Sequence, residues 1–296
     1  MNSYTQGMIS ILCPTRGRPD NVVRKVQSIL STASEPNLVE ILFYVDLDDY
    51  TFPNEILEFS NVKKVVGPRM WLSILQNILY AQASGEIIMY SGDDVVFESN
   101  NWDKMVRNEF SASEDKILLV YGSDGGYYGE KIALHGFLHR EWINAVGCWV
   151  QPGRAVPYDY WHTENARQIG RLRYLNNVKF KHIHFRQGGA VADFDRTYAD
   201  VSNLHNAFRP LETYKLVERE RRIDRILLIE KMIIKPRLEL RYLFSEFFST
   251  LPFLELDSLQ TRRIKTFKNH SLILYLIKIL LTNSINRVNK LFIFKN

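Results

Sequence analysis

The chain has 296 residues, of which 46% are hydrophobic and 24% charged, with a formal net charge of +5. That length and balance fit one large or two small globular domains and exclude a disordered or fibrous chain. Its two cysteines, Cys13 and Cys148, exclude a disulfide framework and a cysteine-based metal centre.

The predicted elements alternate from the start. Ile9–Cys13 reads as a strand and Pro14-Thr15-Arg16-Gly17-Arg18-Pro19 as a loop. Helical spacing of Val22, Val23, Val26, Ile29 and Leu30 predicts a helix over Asp20–Leu30, with Asp20 as N-cap. Val39–Val45 is a second strand ending in Asp46-Leu47-Asp48-Asp49, and Val62–Val66 a third. Trp71–Ala83 is amphipathic and stops at Ser84-Gly85, and Ile87–Tyr90 is a fourth strand. This order predicts an α/β fold with a mostly parallel sheet covered by helices on both faces. Beyond Asp115, strands are expected at Lys116–Tyr121, His135–His139 and Lys179–Phe185, and a short helix at Arg140–Val146 closed by Gly147. The glycine- and tyrosine-rich stretch 123–129 reads as a loop.

The most informative feature follows the fourth strand: Ser91-Gly92-Asp93-Asp94-Val95. Ligands of open α/β sheets bind at the carboxyl ends of strands. Two adjacent carboxylates there repel each other unless a cation offsets them, and oxygen ligands of this kind suit Mg²⁺ or Mn²⁺ shared with a phosphate. A bland alternative is a polar turn in which one aspartate caps the next element. Thr15 and Arg16 follow strand one, Asp46 and Asp48 follow strand two, and strand ends of a parallel sheet share one crevice. His182 and His184, two apart on a late strand, project from one face, and neutral imidazole is a good ligand for Mn²⁺-type ions. There is no phosphate-binding glycine loop, dinucleotide fingerprint, nucleophile elbow or HExxH.

In this order the segments resemble the GT-A-fold nucleotide-sugar glycosyltransferases of glycosyltransferase family 2, over roughly residues 9–200. Ile11-Leu12-Cys13-Pro14-Thr15-Arg16 is similar to the family's opening strand and turn. Asn77, Ala83 and Gly85 match its N-x-G-x-x-x-A-x-G helix, with Leu79 in place of the middle glycine and Gln76 in place of the usual arginine. Gly92-Asp93-Asp94 resembles a compressed aspartate metal motif, and Phe137–Gly147 the acceptor-side strand and helix.

The resemblance implies transfer of a sugar from a nucleotide-sugar to an acceptor hydroxyl, with inversion, assisted by Mn²⁺ or Mg²⁺. Asp46 would read the base, which makes a UDP-sugar the expected donor. Pro14, Thr15, Arg16, Arg69, Asn77 and Asp93 complete the expected donor-binding set, with Asp94, His184 and His182 as metal ligands. Glu164 is the expected general base, with Asp159 the runner-up and His162 a further candidate. A nucleotidyltransferase would need a glycine-rich loop after strand one that Pro14–Pro19 does not supply.

The charge is uneven: residues 211–296 carry 17 Lys and Arg against 9 Asp and Glu, leaving the rest of the chain slightly acidic. The expected division is 1–208, catalytic, and 209–296, a basic helical extension. The extension admits three readings: a support docked on the first domain, a peripheral membrane contact through Leu272–Lys295, or a phosphate-binding surface for nucleic acid. The acceptor could accordingly be a glycan, a lipid-linked glycan or DNA; a non-catalytic nucleotide- or glycan-binding module is the remaining rival. No apolar run reaches membrane-span length, Met1–Met8 lacks an apolar signal core, and cytoplasmic placement is expected.

Overall fold

In a computed structural model the described residues are 4–125, 129–150, 157–183 and 218–232. The chain divides into two compact units, Met1–Pro236 and Arg237–Asn296, the second wholly outside the described residues. The expected helices beyond residue 237, the membrane and nucleic-acid readings of that stretch, and His184 all lie outside them too.

The elements run β1 (Thr5–Thr15), α1 (Pro19–Thr32), β2 (Val39–Asp46), β3 (Val62–Gly67), α2 (Leu72–Gln82), β4 (Gly85–Tyr90), β5 (Val95–Phe97) and α3 (Trp102–Ala112). They continue with β6 (Leu119–Ser123), β7 (Gly136–His139), α4 (Arg140–Val146), α5 (Tyr158–Gln168), β8 (Leu172–His182) and α6 (Glu218–Lys231). One eight-stranded sheet has the order β3-β2-β1-β4-β7-β6-β8-β5. The first four strands are mutually parallel, β7 pairs antiparallel with β4 and β6, β8 runs parallel to β6, and β5 antiparallel to β8. The parallel half reflects the alternation of strand and helix along the sequence. Of the antiparallel pairs, only β6–β7 joins consecutive strands; β4–β7 and β5–β8 bring together strands distant in sequence.

Alternation along β1 sorts its side chains. Ile9, Ile11 and Cys13 join the core with Val22, Val26 and Ile29 of α1 and Trp102, Val106 and Phe110 of α3. Ser10 and Leu12 project to the other face, where Gln76 of α2 reaches the Leu12 carbonyl. Asp20 is not the N-cap of α1: Arg18 holds that position, and Pro19 opens the helix with Asp20 in its first turn. The expected rigid φ of proline at the first helical position explains the shift. Gly147 ends α4 with φ +79°, as expected. α6 packs on α4 and α5: Asp224 accepts from Trp161 Nε1 at 2.8 Å, and Arg225 donates to Asn165 at 3.2 Å.

At the end of the sheet away from the aspartate pair, Glu40 is buried yet fully engaged. It accepts from Ser10 Oγ, Lys63 Nζ at 2.7 Å, and the Ser84 hydroxyl and backbone N–H. These bonds hold its carboxyl below the ordinary range despite burial. Gly85 leaves no room beside them, since an added Cβ would lie 2.7 Å from Ser10 N and 2.8 Å from Met8 O. Gly85→Ala is therefore expected to destabilise the protein by about 1–3 kcal/mol through overpacking. A lowered thermal midpoint with unchanged secondary structure would check this.

Candidate functional site

The carboxyl ends of β1 and β4 meet the end of β8 at the aspartate pair, and the end of β2 lies beside β1. Ser91 N–H donates to Leu12 O at 3.1 Å, so the chain turns immediately after β4 and presents Asp93 and Asp94 above β1. Both are buried, at 5% and 7% exposure. Asp93 accepts from Thr15 Oγ1 at 2.7 Å and from Arg18 Nη1 at 3.0 Å. Asp94 lies 3.3 Å from His182 Nε2, and its carbonyl accepts from Ile183 N–H at 2.7 Å, stitching the turn to β8.

The electrostatics are tense. Burial, and then the neighbouring Asp94, push the Asp93 carboxyl above its ordinary value against the opposing pull of Arg18 and Thr15. Beneath the turn, Lys25 of α1 is wholly buried and donates to Ser91 Oγ at 2.8 Å. Burial lowers its pKa, while Cys13 and both aspartates favour its charged form. Neither Arg18 nor Lys25 was singled out in the sequence. Lys25 carried a legible signal, because it sits on the apolar face of α1 between Val22 and Val26.

Arg16 takes the other direction. It donates to Asp46 at 2.9 Å and, through Nη2, to Asp48 at 2.8 Å. Asp46 is buried at the end of β2, and Arg69 is close enough to Asp48 to help lower its carboxyl to about 2, after the dominant bond from Arg16. Pro14 closes β1 beside Thr15, half-buried. Thus Thr15 joins the aspartate pair, whereas Arg16, Asp46 and Arg69 gather on the β2 side. Asn77 makes different contacts: its amide donates to Ser73 O and Val150 O, each at 2.7 Å, and accepts from Val150 N–H.

The first turn of α5 approaches from above Tyr90. The Tyr90 ring contacts Tyr158 edge-on at 5.3 Å and stacks with His162 at 5.7 Å. Asp159 is half-buried there; burial raises its carboxyl to about 6, and its negative charge contributes to raising the Tyr90 phenol. Glu164, one and a half turns later, pairs with Arg167 on the same helix. His162 is buried among Tyr90, Trp142 and Trp149, and burial lowers its pKa to about 3.

A further cluster adjoins the pair. Asp124 after β6, His135 before β7 and His182 each offer a ligand atom, all within 4.8 Å of one another. Burial keeps His135 far below the ordinary imidazole pKa, and neither of its ring nitrogens has a hydrogen-bond partner. A buried neutral imidazole with both nitrogens unengaged, next to carboxylates, fits a divalent cation of the Mn²⁺ type.

No protein-family model matches the sequence, and no curated protein resembles it significantly. Solved structures do. The mannosyltransferase PcManGT from Pyrobaculum calidifontis, in complex with GDP-Man and Mn²⁺, matches with TM-score 0.50 at 11% identity, over 90% of this chain and 82% of that one. TarS from S. aureus, residues 1–349, matches with TM-score 0.49 at 13% identity, over 75% and 80%. Its complex with UDP-GlcNAc matches with TM-score 0.47 at 16% identity, over 75% and 79%. At such identity the likeness establishes the fold: the chain has the GT-A-type architecture expected from its sequence.

Proposed function

We propose that this chain is a glycosyltransferase that moves a sugar from a nucleotide diphosphate sugar, with UDP as the favoured carrier, to an acceptor hydroxyl with inversion. One observation carries the reading: a buried, electrostatically strained aspartate pair stands at the strand ends beside a histidine, on a fold shared with a nucleotide-sugar transferase. A buried acid pushed up by burial and a like-charged neighbour, without the compensation Glu40 enjoys, fits a site that takes an external charge.

Asp94 and His182 are the residues that would hold Mn²⁺ or Mg²⁺, with His184 as a further candidate. Such a cation offsets the charge that develops on the departing diphosphate. Arg18 and Thr15 orient Asp93, which would face the ribose or the cation. Asp46, paired with Arg16, would accept the imide N–H of uracil, and Arg69 would meet phosphate or base.

Two observations support Asp159 over Glu164 as the general base. Asp159 lies in the first turn of α5 near Tyr90, and its carboxyl titrates at about 6, close to working pH. Glu164 has its carboxylate committed to Arg167. The acceptor proton would pass to an Asp159 oxygen as the sugar transfers.

Binding is the direct test. UDP at 100 times its Kd, with Mn²⁺ present, should stabilise the protein by about 2.7 kcal/mol. For a chain of this size that corresponds to a rise in Tm of about 5–10 °C. GDP and ADP should give smaller shifts, and EDTA should reduce the UDP shift. Release of UDP from UDP-sugars then identifies the sugar. A Tm unmoved by every nucleoside diphosphate, with or without metal, would overturn the proposal.

A further inference from the structure

We infer that Asp124 and His135 form with His182 a two-histidine, one-carboxylate centre, adjoining Asp94, that is selective for transition-metal cations over Mg²⁺. The inference deepens the proposed function and rests on the same crevice, but it concerns ligands that the aspartate motif does not supply.

Three elements converge to build it. Asp124 follows the last residue of β6, His135 immediately precedes β7, and His182 ends β8. β6 is the sheet neighbour of both β7 and β8, which is why residues so distant in sequence meet. The His135 and His182 rings meet edge-on, with centroids 4.8 Å apart, and His182 Nε2 lies 3.3 Å from Asp94 Oδ2. His182 is thus the common member, contacting a carboxylate on one side and the second imidazole on the other.

His135 is the decisive residue. It is 7% exposed, and neither ring nitrogen has a hydrogen-bond partner. An imidazole carries a donor and an acceptor, and burying both unengaged has a real energetic cost. His162 is likewise buried with both nitrogens unpartnered, but aromatic rings enclose it. His135 differs in facing a second histidine and an aspartate at ligand spacing. Imidazole suits first-row transition metals, whereas Mg²⁺ prefers an all-oxygen octahedron with several waters. The mixed set here therefore discriminates by ligand type.

The test is cation binding by the full-length protein without nucleotide, followed by calorimetry for Mn²⁺, Co²⁺ and Mg²⁺ and by the visible absorption of Co²⁺. Expected is one site per chain, with Co²⁺ and Mn²⁺ bound at least about tenfold more tightly than Mg²⁺. His135→Ala and Asp124→Asn should each weaken Mn²⁺ by about tenfold or more and change the Co²⁺ spectrum. If His135→Ala melts early, His135→Gln serves as the arbiter, because it keeps most of the volume. Equal affinity for Mg²⁺ and Mn²⁺, or His135 variants that bind Mn²⁺ within twofold of the parent, would overturn the inference. UDP affinity in the presence of Mn²⁺, measured on the same samples, separates the two claims: its absence strikes the proposed function and leaves the metal result standing.

Discussion

Asp94→Asn should lower kcat/KM for sugar transfer by about a thousandfold, or about 4 kcal/mol of transition-state stabilisation at 1.36 kcal/mol per decade. The substitution keeps the side-chain shape. It also keeps the backbone bond from Ile183 to the Asp94 carbonyl, so the turn and its junction with β8 survive. What it removes is the charge beside His182 and half of the like-charged pair. Asp93 would then lose the second-largest cause of its raised pKa and titrate closer to an ordinary aspartate. The ligand-free variant should accordingly be at least as stable as the parent above neutral pH, while its Mn²⁺-dependent stabilisation by UDP disappears. Loss of activity together with retained or increased stability is the signature of a site that stores electrostatic strain for function. Wild-type turnover by Asp94→Asn, or a loss of activity that merely tracks unfolding, would contradict this account.

The contrast with Glu40 shows why burial alone does not identify a functional acid. Both Glu40 and Asp93 are nearly inaccessible. Glu40 has a lysine, two hydroxyls and the backbone N–H groups of Ser84 and Gly85 around it, and its carboxyl is held low. Its contribution to stability is present above the ordinary glutamate range and is lost as pH falls through its depressed value. Asp93 has one hydroxyl and one guanidinium to set against burial and a neighbouring carboxylate, and its carboxyl rises. The sign reverses: Asp93 costs little while protonated and destabilises the fold as pH climbs past its ordinary value. One acid is fully compensated by its neighbours, and the other is not.

The parallel half of the sheet was legible because each strand is a short apolar run closed by polar turn residues, and each is joined to the next by a helical pattern or a loop. The strand-end residues Thr15, Asp46, Asp93 and Asp94 could be named for the same reason. Other elements escaped. α3 has Trp102, Val106 and Phe110 at helical spacing, all buried, but it opens at Asn101 with φ +59° and without a side-chain cap, so its start carries no sequence signature. β8 begins at Leu172, seven residues before its predicted start, because its first half alternates weakly and is largely half-buried or exposed. The site residues supplied from afar were harder still. Arg18 lies two residues beyond Arg16 in one loop, yet only the fold sends Arg16 to Asp46 and Arg18 to Asp93. His135 and Asp124 meet His182 through strand order, which local periodicity does not encode.

Replacing Asp159 by asparagine should reduce kcat by about 10²–10⁴-fold, the range a positioned general base contributes, with UDP affinity unchanged. The reasoning turns on pH. Burial raises the Asp159 carboxyl to about 6, so the parent enzyme should gain activity as pH rises from 5 to 7 and the base becomes ionised. That limb should vanish in the Asp159→Asn variant and leave a low, flat residual rate. Stability runs the other way: a carboxyl whose folded pKa lies above its ordinary value favours the fold while protonated and opposes it once ionised. The parent should therefore lose stability between about pH 4 and 6 relative to the variant, over the same range in which it begins to gain activity. Glu164→Gln separates the two candidate bases. It breaks a half-exposed pair with Arg167 within one helix and should cost no more than about 0.5 kcal/mol, with kcat nearly unchanged. A collapse of kcat in Glu164→Gln with full activity in Asp159→Asn would reverse the assignment and move the acceptor hydroxyl one and a half turns along α5.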